Sequence, residues 1–113
     1  MSEKPYRECG CGWWPLVDSL EHRLKKLTGI VPKPVQVKEK FGQLRYYTSN
    51  GFAEAQNMDQ WKEFCNLINE AEAASLWICE SCGSMDLVET RPNELDGFWI
   101  KTLCAKCRAR SER

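Results

Sequence analysis

The chain has 113 residues, 42% of them hydrophobic and 28% charged, and its 16 basic and 16 acidic side chains give a formal net charge of zero. That composition fits one globular domain, or a small domain with a zinc-stabilised appendage, and excludes wholesale disorder and nucleic-acid binding through bulk positive charge. Apolar runs such as Leu76-Trp77-Ile78-Cys79 are too short for a transmembrane helix, and the polar start from Met1 to Glu8 does not read as a signal peptide.

The first predicted element is a helix over residues 15–28. Pro15 suits a first helical turn, where its missing N–H costs nothing. Leu16, Leu20, Leu24 and Leu27, with Val17 beside them, form one apolar stripe, and His22 falls on the opposite face. Asp18 early and Lys25-Lys26 late match the helix dipole, Gly29 ends the helix, and Pro32 and Pro34 prevent its resumption. A hairpin follows, with strands over 35–38 and 43–47 and a turn at Glu39-Lys40-Phe41-Gly42 in which Gly42 takes the φ > 0 position. Period two places Val35, Val37, Leu44 and Tyr46 on the face that packs on the leucine stripe, and Gln36, Lys38, Arg45 and Tyr47 on the other.

Residues 49–51 read as a loop, and a second helix runs over 58–76, capped by Asn57 with Gln60 three residues on. Trp61, Phe64, Cys65, Ile68, Ala71 and Ser75 share its inner face, and Glu63, Glu70 and Glu72 are expected to turn outward. Charge is unevenly distributed: residues 1–50 carry nine Lys/Arg against five Asp/Glu, residues 51–78 one against five, and residues 79–113 six against six. Solvated faces that segregate by sign explain this simply; a dipolar field that steers a partner is the sharper alternative.

Seven cysteines without a secretion signal argue against a disulfide scaffold, and four of them form two matched pairs, Cys79-Glu-Ser-Cys82 and Cys104-Ala-Lys-Cys107, with 21 residues between. Two intervening residues let one tight turn aim two sulfurs at a single point, and zinc takes four thiolates tetrahedrally. Gly83 permits the left-handed turn of a knuckle. Residues 86–90 and 98–101 read as strands, Pro92-Asn93-Glu94 and Asp96-Gly97 as the turn region, and Arg108-Ala109-Arg110-Ser111 as the start of a short helix. Knuckle, hairpin and helix predict a treble-clef finger, with a zinc ribbon as the near alternative. Four cysteines leave no coordination position for water, so one structural zinc at Cys79, Cys82, Cys104 and Cys107 is expected, with iron an alternative that four thiolates also accept. A segment of about 35 residues buries too little core alone, so metal binding would supply folding free energy.

Cys9 and Cys11, with Cys65 and His22, offer a second Cys3His donor set only if all four converge; the simpler reading makes Cys65 a core residue and His22 an exposed one. A catalytic pairing of Cys9 or Cys11 with His22 lacks a third orienting group, so no catalytic residue is assigned. Lys38, Lys40 and Arg45 around Phe41 and Tyr47 combine cations with aromatics, as phosphate gripping and base stacking require, and Lys106, Arg108, Arg110 and Arg113 could add phosphate contacts. The plain alternative is the polar outer face of an amphipathic hairpin with Phe41 folded back onto the core.

Gly12-Trp13 followed by Pro15-Leu16, the run Gln36-Val37-Lys38-Glu39-Lys40-Phe41-Gly42-Gln43-Leu44-Arg45-Tyr46-Tyr47, Ala74-Ser75, Cys79-Glu80-Ser81-Cys82-Gly83 and Trp99-Ile100-Lys101-Thr102-Leu103-Cys104 extend over most of the chain. Together they resemble a family of small proteins of phages, prophages and some bacteria that has no settled activity. The resemblance implies a bacterial host cytoplasm and an accessory role, and it carries over no catalytic residue.

The sequence thus predicts an α+β unit of helix, β-hairpin and helix over residues 1–78, with a treble-clef-like or zinc-ribbon-like four-cysteine finger over residues 79–113 packed on it. Trp61, Trp77 and Trp99 are expected to seal the junction. The expected function is non-enzymatic: a zinc-binding accessory factor that binds and modulates a host protein, with Trp13, Trp14 and Phe41 as contact residues if exposed. An inhibitor of a host defence system is one form of this. The alternative is a nucleic-acid-binding or regulatory protein using Lys38, Lys40, Phe41, Arg45, Tyr47, Arg108 and Arg110.

Overall fold

The computed structural model describes residues 7–30, 34–48, 57–93 and 99–111. In chain order these form β1 (Arg7–Glu8), a 3-10 turn (Cys11–Trp13), α1 (Trp14–Thr28), β2 (Pro34–Lys40), β3 (Gln43–Thr48), α2 (Met58–Ala74), a 3-10 turn (Ser75–Trp77), β4 (Val88–Asn93), β5 (Trp99–Cys104) and α3 (Ala105–Ser111). The architecture is α+β. One sheet has the order β1-β2-β3, and β4 with β5 makes a separate antiparallel hairpin. β1 is an addition to the expected elements: two residues pair parallel to β2, Arg7 with Val37 and Glu8 with Lys38. The expected turn residues Glu94, Asp96 and Gly97, the loop at 49–51 and Arg113 lie outside the described residues.

The leucine stripe buries as its spacing requires. Val17, Leu20 and Leu24 of α1 pack with Val37, Leu44 and Tyr46 of the sheet and with Phe64 and Ala71 of α2. Gly29 closes α1 at φ 79°, and its N–H reaches the Lys25 carbonyl at 2.6 Å. Asn57 caps α2 by accepting from the Gln60 backbone N–H at 2.8 Å, while the Gln60 side chain donates to the Leu27 carbonyl at 2.9 Å and ties α2 to α1.

The β2–β3 connection is a two-residue turn with φ 54° at Phe41 and 81° at Gly42, the positive values that match the twist of a hairpin. Gly42 is required for a second reason, because a Cβ there would lie 2.8 Å from Thr90 Cγ2. Phe41 is not folded onto the core but stands 65% exposed. Val37, Leu44 and Tyr46 take the inner face as expected; Val35 does not. The register shifts between Pro34 and Gln36, which drops Val35 out of the alternation and leaves it exposed.

Glu72 corrects a second expectation. Its carboxylate accepts from the Tyr46 backbone N–H at 2.9 Å and faces Arg45 at 3.9 Å. Ser75 Oγ accepts from the Leu44 N–H at 2.9 Å, so α2 and the 3-10 turn that follows it satisfy two outward donors of the β3 edge. On the opposite side Tyr46 donates to Glu21 at 2.9 Å, and the Arg7 guanidinium reaches Glu21 at 3.1 Å and Asp18 at 2.7 Å. Burial first, then the Glu21 charge, pushes the Tyr46 phenol above its ordinary range.

The three tryptophans expected at the junction are not there as a seal. Trp61 stacks on Phe64 with centroids 5.7 Å apart, and Trp77 and Trp99 stand 69% and 70% exposed. Trp13 is the indole that is fully buried, donating to the Ile78 carbonyl at 2.8 Å. The junction is made mostly of backbone. Gly12 N–H donates to the Glu80 carbonyl at 2.8 Å, Glu80 N–H to the Thr102 carbonyl at 3.0 Å, and Gly10 N–H to the Glu80 carboxylate at 2.9 Å. Thr102 donates its hydroxyl to the Gly42 carbonyl and therefore accepts from Thr90, 2.6 Å away.

Candidate metal centre

Cys79 to Ser84 form the knuckle. Gly83 N–H returns to the Cys79 carbonyl at 2.9 Å and Cys79 N–H donates to the Ser84 carbonyl at 2.8 Å. Gly83 holds φ 83°, as the spacing predicted. The second pair comes from the far end of the hairpin. β5 ends at Cys104, opposite Val88, and α3 begins at the next residue, which places Cys107 in its first turn. The strands are displaced from expectation: Asp86 and Leu87 form a bend, with Leu87 at φ 52°, and Pro92 and Asn93 belong to β4. Knuckle, hairpin and helix in that order follow the treble-clef arrangement.

The sulfurs of Cys79, Cys82, Cys104 and Cys107 all lie within 4.8 Å of one another, so these four residues are positioned to hold one metal ion. The donor set fits. Metal–sulfur bonds of about 2.3 Å in a tetrahedron put the sulfurs about 3.8 Å apart; Cys82 and Cys104 Sγ are separated by 3.7 Å. Three of the four side chains are buried with Leu103 and Val88, and Cys82 alone is exposed. Burial and neighbouring groups set how Cys107 and Cys79 titrate before an ion binds. Burial, then the Cys82, Cys104 and Cys79 thiols, push Cys107 up to about 12. At Cys79 burial also acts upward, but hydrogen bonds from the backbone at Cys104, Cys82 and Ser81 outweigh it and bring the thiol down to about 7. A divalent cation would deprotonate all four and replace their mutual repulsion with a common attraction. Arg110 lies 4.0 Å from Cys107 Sγ, where its charge offsets part of a four-thiolate site's excess negative charge.

Cys9, Cys11, Cys65 and His22 do not converge: among the described residues the only group of three or more potential ligands is the four-cysteine set. Cys65 is partly buried on α2 and His22 is exposed on α1. Cys9 packs against the main core, where burial, then the Glu80 charge, push its thiol up to about 11. The glycines between these cysteines have a role that the sequence reading missed. A Cβ on Gly12 would lie 2.3 Å from the Cys79 carbonyl oxygen, and one on Gly10 would lie 2.4 Å from that of Glu80. The Cys-Gly-Cys-Gly run is therefore the strap that seats the knuckle on the core. Its spacing of two glycines two apart was the available signal.

The basic hairpin is arranged differently from a phosphate-binding face. Lys38 and Arg45 are directly opposed across the ladder, but Lys38 is also in register with Glu8, and Arg45 faces Glu72. The charges of the row therefore sum to zero. Lys40 stands beside Phe41, its Nζ 5.8 Å from the ring centroid, and Tyr47 is exposed. Arg108 turns inward: it is 4% exposed and donates to the carbonyls of Glu89 at 2.7 Å and Lys101 at 3.0 Å, clipping α3 to both strands of the hairpin. Lys106 and Arg110 remain on the surface. Among the described residues no helix is long and apolar enough to cross a membrane.

Comparison with known proteins returns no matching family model, no matching curated protein and no matching solved structure. What is shown of this chain is an α+β fold in which a hairpin and a knuckle bring four cysteines to one metal-binding point.

Proposed function

We propose that the protein is a non-enzymatic module, stapled by one zinc ion, that acts by docking on a partner protein. The observation that carries this reading is the exposure of Phe41, Trp77 and Trp99 to 65%, 69% and 70%. All three stand on elements that meet where the sheet joins the four-cysteine hairpin. The turn bearing Phe41 abuts Thr90, Ile100 and Thr102 through Gly42, and the 3-10 turn bearing Trp77 contacts β3, β4 and β5. Trp99 lines a shallow cleft of about 450 Å³ with Glu39, Ile100 and Lys101. At about 200 Å² per aromatic side chain these residues offer roughly 400 Å² to solvent, about half of one side of an ordinary protein–protein interface. Aromatic anchors of this kind dominate binding energies.

Zinc fits the four thiolates with a closed coordination sphere, which leaves no position for a substrate or an activated water. The family resemblance makes the partner a host protein in a bacterial cytoplasm and the module an accessory factor that modulates it, a host defence system being one candidate target. The nucleic-acid alternative is disfavoured by the balanced charges around Lys38 and Arg45 and by the inward course of Arg108. The test is capture from a bacterial lysate with the zinc-loaded protein at physiological salt, beside Phe41→Ala and Trp99→Ala. A stoichiometric protein is expected, lost in both variants, whose stability should stay within about 0.5 kcal/mol of the parent. No stoichiometric protein, or salt-sensitive capture of nucleic acid that depends on Lys38 and Arg45, would overturn the reading.

A further inference from the structure

The strap over the knuckle brings a fifth thiol to the metal centre. Cys11 is exposed, and its Sγ lies 3.8 Å from the carbonyl of Ser81, the residue before Cys82. It stands outside the set of four sulfurs that are mutually within 4.8 Å. The two backbones run side by side, because the Gly12 carbonyl oxygen is 3.2 Å from the Cβ position of Gly83. Gly10 and Gly12, pressed on the carbonyls of Glu80 and Cys79, hold Cys11 in this place. Of the four ligands, Cys82 is the one that solvent reaches. The most accessible ligand sulfur and an uncommitted thiol thus share one edge of the molecule.

We propose that Cys82 and Cys11 form an oxidation site, at which hydrogen peroxide converts the pair to a disulfide and expels the metal. The proposal rests on the zinc reading above. In the first step the Cys82 thiolate attacks one peroxide oxygen; the O–O bond breaks, hydroxide leaves, and sulfur becomes a sulfenic acid by giving up two electrons. In the second, the Cys11 thiolate attacks that sulfur; the S–S bond forms, the S–O bond breaks, and a second hydroxide leaves. With the protons of the medium, two thiols and one peroxide give one disulfide and two waters. Zinc stays divalent throughout and is left with three thiolates. Cys104 Sγ lies 3.7 Å from Cys82 Sγ, but it is buried, and in the loaded site its electron pair would stay committed to the metal. Cys11 carries neither constraint. Closing the bond requires Cα atoms about 4.4–6.8 Å apart, and the contact of Cys11 Sγ with the Ser81 carbonyl sets Cys11 beside the residue that precedes Cys82.

The experiment measures zinc content first, then treats the zinc-loaded protein with hydrogen peroxide while a chelating dye reports release. Disulfides are mapped by mass spectrometry of unreduced peptides. The expected result is release of the bound zinc with a peptide linked through Cys11 and Cys82, reversed by a thiol reductant and fresh zinc. Cys11→Ser should bind the same amount of zinc, because Cys11 is exposed and is not one of the four ligands. After peroxide its Cys82 should proceed to sulfinic acid, so that reductant no longer restores binding; Cys9→Ser should behave as the parent. Zinc present but retained under peroxide, or a Cys82–Cys104 bridge formed identically in Cys11→Ser, would overturn this proposal and leave the metal reading standing. A chain isolated without zinc that does not take it up would overturn both.

Discussion

Replacing Gly12 with alanine should weaken zinc binding although residue 12 supplies no ligand. The added Cβ would sit 2.3 Å from the Cys79 carbonyl oxygen and 2.5 Å from that of Glu80, both main-chain atoms of the knuckle. No side-chain rotation relieves such a contact, so the strap must lift or the knuckle must deform. Overpacking of this kind costs about 1–3 kcal/mol. The Gly12 N–H to Glu80 carbonyl bond, 2.8 Å long, would be lost with the displacement at about 1 kcal/mol more. A total of about 2–4 kcal/mol corresponds to zinc affinity reduced by about 30-fold to several hundred-fold if the knuckle bears the strain. Gly29→Ala is the control: Gly29 has φ 79° but nothing within 4 Å of its Cβ position. That variant should lose about 1–2 kcal/mol of stability and none of its affinity for zinc. Competition against a chelator of known affinity, with thermal unfolding at saturating zinc, reads both quantities. Wild-type zinc affinity in Gly12→Ala would refute the argument that the strap and the knuckle form one rigid seat.

Zinc affinity should also rise steeply with pH. Cys107 is pushed to about 12, and Cys82 is raised as well: the Ser84 backbone N–H lowers it, as does the Cys107 thiol, but burial and the Cys79 and Cys104 thiols together raise it by more. Both are protonated at neutral pH before an ion binds, so binding must release at least these two protons, and the logarithm of the affinity should climb by about two or more per pH unit between pH 6.5 and 7.5. A slope near zero in a buffered competition titration would contradict this protonation state. Arg108→Ala should cost about 1–3 kcal/mol by leaving the Glu89 and Lys101 carbonyls without their donor, whereas Arg110→Ala, at the surface, should stay within about 0.5 kcal/mol. Equal thermal unfolding midpoints for these two variants would refute the inward role of Arg108.

The elements that repeat a periodic signal could be read before the structure. The leucines of α1, the turn glycine at 42, the Asn57 cap and the two cysteine pairs each encode local geometry in a fixed spacing, and each took the expected place. What escaped depends on distant partners. Glu72 looks like an outward helix residue until the β3 edge supplies the Tyr46 N–H beside it. Arg108 looks like a phosphate contact until the hairpin carbonyls close around it. Val35 obeys period two in the sequence, and only the register shift removes it from the core. The tryptophans misled because hydrophobicity alone does not separate a buried anchor from an exposed one: Trp13 and Trp99 are alike in composition and opposite in burial. A two-residue parallel strand such as β1 has no pattern of its own to detect.

The outer edge of β3 has a consequence for how this protein behaves at high concentration. An exposed strand edge is a template on which another chain can add, and growth of that kind leads to fibrils. Here the N–H groups of Leu44 and Tyr46 are already occupied by Ser75 and Glu72. A glutamate of α2 and the serine just after it thus do at this edge the work that charged or proline-bearing edges do in other small sheets, and these two donors are not free to template another strand.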